Sequence, residues 1–271
     1  MKKLSKLFFR SVRILGILKL KPVVFLHLQK TAGTSIVDMA RQFYGNDNVI
    51  SHGDYLYNEG RLTPAEKFAQ AEFLQSRFGN TAFISGHFGY DFAKQFMVNR
   101  FSFTFLRNPV ERVLSAYYFY RTRNPDEFRH YKMAQSMPLD DFLMLGLDDP
   151  DIKAHIWNYQ VTQLATGWGA VSNLSLDNDS LLQMAIDHLD DFSYVGFTET
   201  FAKDQEYILK AIGISIPVGN YKSNVNPGRP LFDGLPESSK DLLLKLTELD
   251  RQLYEIAWEK YNSPRLSQNN H

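Results

Sequence analysis

The feature that most constrains the fold is a buried strand that leads directly into a turn and a helix. Residues 23–28 (VVFLHL) form a short apolar run rich in β-branched side chains, as expected of a buried strand. A turn containing Gly and Thr follows, and residues 35–44 have helical periodicity. Similar apolar strands recur at 81–85, 101–106 and 194–197. Strands that alternate with helices predict an α/β fold with a central parallel sheet that helices cover on both faces.

The segments around these strands predict one domain over residues 22–262, followed by a flexible tail at 263–271. Residues 216–236 are rich in Pro, Gly and Asn, and a long irregular segment of this kind is typical of a functional loop. The further helices predicted by periodicity are 65–77, 109–120, 139–145, 152–164, 181–189, 201–212 and 237–261.

Composition excludes several classes of protein. The chain has 271 residues, 44% of them hydrophobic, and needs no disulfide or metal to build a sufficient core. It has no cysteine, which rules out a thiolate zinc site, an iron–sulfur cluster and a cysteine nucleophile. Thirty basic residues balance thirty acidic ones, so the chain lacks the cationic excess of a protein that grips nucleic acid. We therefore expect no nucleic-acid partner.

Residues 1–21 predict a basic amphipathic helix. Lys2, Lys6, Arg10 and Arg13 fall on one stripe, and leucines fall on another. The longest uncharged run is too short for a membrane span, and no cleavage site of a secretion signal follows it. Such a helix can lie on an anionic membrane surface or pack on its own domain, and we favour packing. The expected location is cytoplasmic, with peripheral membrane contact through residues 1–20 as the alternative.

The first candidate site is the turn after the first strand, and it has the character of a phosphate-binding loop. A helix N-terminus offers backbone N–H groups and a favourable dipole to an anion, and Gly33 allows close approach of the ligand. Lys30 adds a positive charge. The loop differs from the ATPase form, in which the lysine follows the glycine. The residues predicted to line it are Gln29, Lys30, Thr31, Ala32, Gly33, Thr34 and Ser35.

A second candidate site follows the strand at 101–106. Arg107 lies at its carboxyl end, and Ser115 lies about two turns into the helix that begins near Pro109. Both can reach one anion at the edge of the sheet where open α/β sheets bind ligands, and arginine offers a planar fork for phosphate. We interpret Arg112, on the same helix, as a solvated charge.

These two segments resemble the sulfotransferases that use 3′-phosphoadenosine 5′-phosphosulfate (PAPS), and most of all the carbohydrate group with the heparan sulfate 2-O- and 6-O-sulfotransferases. Residues 25–35 (FLHLQKTAGTS) are similar to that group's 5′-phosphosulfate loop. Residues 103–118 (FTFLRNPVERVLSAYY) are similar to its 3′-phosphate motif. Weaker likeness extends to residue 261. The chain lacks the N-terminal stem and spanning helix of the animal Golgi members, which suggests a bacterial relative.

The resemblance implies an enzyme that transfers a sulfuryl group from PAPS to a hydroxyl and releases 3′,5′-ADP (PAP). Lys30 would act on the leaving oxygen, the loop residues would hold the 5′-phosphate, and Arg107 with Ser115 would hold the 3′-phosphate. The implied fold is one α/β domain, a parallel sheet flanked by helices, with a P-loop-like phosphosulfate loop. The resemblance implies no metal, and the sequence has no carboxylate cluster that would require one.

Histidine is the commonest general base near neutral pH. His87 directly follows a predicted strand, and the 2-O-sulfating relatives have a similar glycine–histidine step with a catalytic histidine. We therefore predict that His87 is the catalytic base. His27 is the alternative, although a histidine inside a strand is more often a core residue. His52 is a weaker candidate. We assign no chemistry to the other four, His130, His155, His188 and His271.

The expected acceptor is a glycan or glycoconjugate, because residues 117–123 and 129–132 combine aromatic side chains, which can stack on sugars, with cations, which can bind acidic sugars. Asn158 and Gln160 could hydrogen-bond an acceptor or could be surface polar groups. Two other functions remain open. One is a nucleotide-dependent phosphotransferase, which would require a Walker lysine and an acidic Mg²⁺ ligand. The other is a non-catalytic sugar- or membrane-binding module on a degenerate nucleotide fold.

Overall fold

A computed structural model describes residues 20–52, 78–167, 176–214 and 230–262. The predictions for the N-terminal helix, the helix at 65–77, most of the segment 216–236 and the tail fall outside these residues. Among the described residues, no helix is both long enough and apolar enough to cross a membrane.

Five parallel strands form one sheet, which confirms the predicted fold class. They are β1 (Val23–Leu26), β2 (Val49–Ile50), β3 (Phe83–Gly86), β4 (Phe101–Leu106) and β5 (Tyr194–Phe197), in the spatial order β2-β3-β1-β4-β5. Residue 23 of β1 is in register with residue 83 of β3 on one side and residue 101 of β4 on the other. Because all strands run the same way, their carboxyl ends form one edge of the sheet.

Helices cover both faces of the sheet. Val24 and Leu26 face one apolar cluster, while Val23 and Phe25 face the other, as the alternation of side chains along a strand requires. The helices are α1 (Gly33–Tyr44), α2 (Tyr90–Lys94), α3 (Pro109–Tyr120), α4 (Arg129–Ser136), α5 (Leu139–Asp148), α6 (Pro150–Ile156), α7 (Tyr159–Ala165), α8 (Asn178–Leu189), α9 (Phe201–Ala211), α10 (Glu237–Leu246) and α11 (Glu248–Ala257), with a π-helical turn at Trp258–Asn262.

The start of α3 is fixed by residues next to it in the sequence. Asn108 lies just before the helix, and its side-chain oxygen accepts a hydrogen bond from the backbone N–H of Glu111 at 3.2 Å. Pro109 occupies the first turn, where a missing N–H costs nothing. Glu199, which follows β5, accepts a bond from the backbone N–H of Asn108 at 2.8 Å. The turn between β4 and α3 is therefore fixed from two sides.

Two helices predicted as continuous are broken, and each break supports the other. The segment 152–164 is interrupted at Asn158, whose φ of 39° is left-handed, and the segment 237–261 is interrupted at Thr247. Asn158 Oδ1 accepts the backbone N–H groups of residues 249 and 250 at the start of α11. Asp250 in turn accepts the N–H groups of residues 160 and 161 at the start of α7. Reciprocal capping of two helix starts satisfies four backbone donors, which periodicity alone cannot predict.

Candidate active site

The carboxyl edge of the sheet collects the charged and titratable side chains. His27 directly follows β1, His87 directly follows β3, and Arg107 directly follows β4. His52 lies two residues beyond the end of β2. Since β1 ends at Leu26, His27 lies beyond the strand rather than inside it, which corrects the longer strand predicted for residues 23–28. Each side chain thus occupies the position where parallel α/β sheets bind ligands.

The predicted phosphate loop has the backbone of an anion site. Lys30 and Ala32 have positive φ angles of 71° and 65°, which for residues with a Cβ is uncommon and marks a curled segment. Ala32 is the residue before α1, and no side chain caps this helix start. The N–H of Ser35 donates to the carbonyl oxygen of Ala32 at 3.2 Å, and the amides of residues 33 and 34 belong to the helix end that can bind an anion.

Thr31 stabilises the loop through a hydrogen bond to the loop's own backbone. Its side chain is fully buried, and its hydroxyl donates to the carbonyl oxygen of Leu28 at 2.7 Å. Thr34, in contrast, is exposed, and Ser35 is half-buried at the start of α1. Of the three hydroxyl residues predicted to line the loop, Thr34 and Ser35 are accessible to a ligand, while the hydroxyl of Thr31 is bonded within the loop.

Gly33 lies directly against the imidazole of His27. A Cβ placed on Gly33 would lie 1.9 Å from His27 Nε2, well inside any real contact distance. The ring of His27 is itself stacked on Phe25, with 5.2 Å between ring centroids. The glycine is therefore required by close packing against a ring that has little room to move.

Three imidazoles form a cluster beside the loop. The ring centroids of His27 and His87 are 4.5 Å apart, and those of His52 and His87 are 3.8 Å apart. Burial lowers the pKa of His27 to about 3 and that of His52 to about 4. Burial, with His27 as the next cause, also places the pKa of His87 well below 6.5. All three rings are accordingly neutral at pH 7, and each is a weaker proton acceptor than a free imidazole.

The ammonium of Lys30 lies over an aromatic ring. Its Nζ is 3.6 Å from the ring centroid of Phe119 on α3, and the guanidinium of Arg123 lies 4.0 Å from the same centroid. Cation–π contacts of this kind hold a charge in place without neutralising it. Lys30 is also close enough to lower the pKa values of both His27 and His87. One aromatic ring thus connects the loop lysine with a cation of the predicted acceptor segment.

Arg107 brings the two predicted motifs together. Its Nη1 donates to the carbonyl oxygen of Lys30 at 2.9 Å, so the strand end and the loop are in direct contact. Its backbone is held at both polar groups by Gln160, whose Oε1 accepts from Arg107 N–H at 3.0 Å and whose Nε2 donates to Arg107 O at 2.9 Å. Gln160 is fully buried, and Asn158 is almost so. Both therefore serve the internal structure, and neither is the acceptor-binding group that was one of the alternatives.

The remaining predicted residues lie around this contact. Gln29 Oε1 accepts a hydrogen bond from the hydroxyl of Tyr120 at 2.8 Å, which ties the loop to the last turn of α3. Ser115 lies in the middle of α3 and is half-buried. The contacts that Tyr120, Phe119 and Gln160 make with Gln29, Lys30 and Arg107 could have been found only by knowing which elements pack together.

The interpretation of Arg112 as a solvated charge is wrong. Its side chain is fully buried, it donates to the carbonyl oxygen of His155 at 3.0 Å, and its guanidinium lies 4.4 Å from the ring centroid of Tyr159. Burial lowers its pKa, and the buried carboxylate of Asp250 opposes that shift. The charge is tolerated because an aromatic face, a carbonyl and a carboxylate surround it.

Comparison with known proteins identifies the class to which this site belongs. No curated protein was found to match the sequence. A sequence model described as the sulfotransferase family, however, matches residues 17–257, which include every strand and every candidate site residue described above. Because this match covers most of the chain, the protein belongs to the sulfotransferase family.

Proposed function

We propose that the protein transfers a sulfuryl group from PAPS to a hydroxyl of a carbohydrate acceptor. Family membership establishes sulfuryl transfer in general. The observation that carries the finer proposal is the contact between Arg107 and the loop at Lys30, because it joins both predicted anion-binding motifs in one site. A donor with anionic groups at two positions, such as PAPS, matches two such motifs.

The residues present fit this donor. The curled loop and the start of α1 supply backbone donors for a 5′-phosphosulfate, and Lys30 supplies the positive charge beside them. Arg107 and Ser115 would hold the 3′-phosphate, the group that distinguishes PAPS from ATP. In-line transfer does not require a covalent intermediate with the protein, so positioning and charge stabilisation account for most of the rate acceleration.

The imidazole cluster supplies the base. In the proposed reaction the acceptor oxygen forms a bond to sulfur as the bond from sulfur to the phosphate oxygen breaks. The acceptor's proton passes to His87, and Lys30 stabilises the negative charge that develops on the leaving oxygen. His87 is favoured because it directly follows β3, at the edge of the sheet where parallel α/β folds bind their ligands. His27 remains the alternative base.

A carbohydrate acceptor is supported by Phe119. Phe119 is half-buried, and its ring lies 3.6 Å from the Nζ of Lys30, the residue proposed to act on the leaving oxygen. Arg123 lies against the same ring and is exposed, which would suit an acidic sugar. Arg121 and Arg129, by contrast, are engaged within the protein: Arg121 with the carbonyl of Ala134 and Arg129 with Asp149.

Two measurements test this function. The purified protein, incubated with PAPS and a library of glycans and small alcohols, should yield sulfated products and PAP by mass spectrometry. Calorimetry should find that 3′,5′-ADP binds roughly tenfold to a hundredfold more tightly than 5′-AMP, as expected from one charge-assisted contact of about 1.5–3 kcal/mol. Arg107→Ala should remove that preference. Equal affinities would contradict PAPS as the donor, and tight binding without turnover would favour a non-catalytic binding module.

A further inference from the structure

A second cluster of titratable side chains lies where α4 packs against α6. His130 belongs to α4, while Asp151 and His155 lie one turn apart on α6. One ligand atom from each of the three lies within 4.8 Å of the other two. The ring centroids of His130 and His155 are 3.9 Å apart, and His155 Nε2 lies 3.9 Å from an oxygen of Asp151. None of these residues belongs to the proposed reaction.

We propose that His130, Asp151 and His155 bind a divalent transition-metal ion of the zinc type, with water completing the coordination. Imidazole nitrogen and carboxylate oxygen are ligands that zinc takes at about 2.0–2.2 Å. Ligand atoms around a tetrahedral ion at such distances lie about 3.4 Å apart. The observed cluster is somewhat wider, so the three side chains would close around the ion on binding.

The three ligand side chains differ in exposure. His130 and His155 are buried. Asp151 is exposed and supplies both a negative charge and a route from solvent. The two buried rings would orient the ion, and the exposed carboxylate would allow the ion to enter from solvent.

Two arginines face this cluster and would limit its affinity. Arg129 Nη1 lies 3.5 Å from Asp151, but both guanidinium nitrogens of Arg129 are held more closely by Asp149, at 2.6 and 2.8 Å. Arg112 donates to the backbone carbonyl of His155 rather than to its ring. Neither guanidinium group therefore takes the position that the metal ion would have among the three ligand atoms.

The position of the cluster points to a supporting role for the ion. The ring of His130 lies 4.7 Å from that of Tyr120, centroid to centroid, and the hydroxyl of Tyr120 holds Gln29 of the phosphate loop. An ion here would join α4 to α6 behind Tyr120 without touching the substrates. We expect it to raise the stability of the protein and to hold the loop in its binding conformation.

The test is metal binding by the full chain, without an affinity tag and stripped by a chelator. Calorimetric titration with Zn²⁺ should give one equivalent, and Co²⁺ should give the visible absorption of a low-coordinate site. Asp151→Asn should weaken Zn²⁺ binding by at least tenfold, and His130→Gln should do the same. Asp148→Asn, an exposed residue at the end of α5, is the matched control and should bind as the wild type does.

A second comparison separates this cluster from the imidazoles at the sheet edge. His87→Ala should retain the Zn²⁺ stoichiometry and affinity, and Zn²⁺ should raise the melting temperature of the wild type but not of Asp151→Asn. The proposal is overturned if the wild type binds no Zn²⁺ or Co²⁺, if binding survives in both Asp151→Asn and His130→Gln, or if His87→Ala abolishes it. Because binding is measured directly, these results do not depend on sulfuryl transfer.

Discussion

The side-chain amide of Gln160 forms hydrogen bonds with both backbone polar groups of Arg107, at 3.0 and 2.9 Å. The start of the helix that carries Gln160 is in turn held by Asp250. A side chain that reaches an anion from a strand end is only as well placed as its backbone. Gln160 is thus a positioning residue for the proposed 3′-phosphate site, although it touches no substrate.

Replacing Gln160 should therefore weaken nucleotide binding. Gln160→Ala leaves a buried donor and a buried acceptor of Arg107 without partners, and we expect PAP affinity to fall about tenfold. Gln160→Glu keeps the acceptor for the Arg107 N–H and should retain part of the affinity. Calorimetry with PAP measures both, with the exposed Gln183→Ala as control. Unchanged PAP affinity in Gln160→Ala, with a folded protein, would remove this role.

Lys30→Ala should reduce kcat more than it weakens PAPS binding. The proposed role of Lys30 is to stabilise charge that appears only as the leaving oxygen departs, and loss of such a contact acts on the transition state. Lys30→Arg keeps the charge and should restore part of the rate. Steady-state kinetics on both variants give the comparison. A raised KM with normal kcat would mean that Lys30 serves ground-state binding alone.

His87→Ala should lower the rate of transfer by roughly 10²–10⁴-fold, the usual contribution of a general base, while PAP affinity stays near that of the wild type. Burial and the neighbouring imidazoles lower the pKa of His87, so the acid limb of kcat/KM should lie well below pH 6.5. If His27→Ala abolishes transfer and His87→Ala does not, the roles are exchanged. Activity in both variants would direct attention to the carboxylates Asp91 and Glu111.

Gly33→Ala should abolish PAP binding and destabilise the fold. The added methyl would lie 1.9 Å from His27 Nε2, so the loop or the stacked ring must move, and overpacking of this kind typically costs about 1–3 kcal/mol. Gly234→Ala is the control, because a Cβ there meets no atom within 4 Å. Denaturant midpoints and PAP calorimetry measure the two effects. Normal PAP binding by Gly33→Ala would show that the loop tolerates displacement.

Acidification should destabilise the protein between pH 6.5 and 4. Five imidazoles have lower pKa values in the folded chain, so the unfolded chain binds more protons as pH falls below 6.5; they belong to His27, His52, His87, His130 and His155. Asp250 acts in the opposite sense, because burial raises its pKa from 3.8 to about 6, but it is one group against five. Urea midpoints at pH 7, 6 and 5 measure the net effect. His52→Gln should reduce the slope, and a rise in stability toward pH 5 would contradict the expectation.

The elements that the sequence predicts well are those whose signals are local. The bounds of β4 follow from an apolar run and the start of α3 follows from Pro109, and the structure has both as expected. Arg112 could not be predicted, because its surroundings come from Tyr159 and Asp250, which lie far along the chain. The same holds for the break at Asn158, where a distant helix supplies the bonds that end the periodicity.

The strand order also has a consequence for how the protein is made. Both sheet neighbours of β1, which are β3 and β4, come later in the chain, and residue 23 pairs with residues 83 and 101. As the chain leaves the ribosome, β1 therefore cannot pair with a neighbouring strand until some sixty further residues have been synthesised. Strand pairing at such sequence separation is slow, and an unpaired apolar strand is prone to aggregate with other chains. The phosphate loop, which depends on contacts from Arg107, Gln160 and Tyr120, should thus be one of the last parts of the molecule to become competent during synthesis.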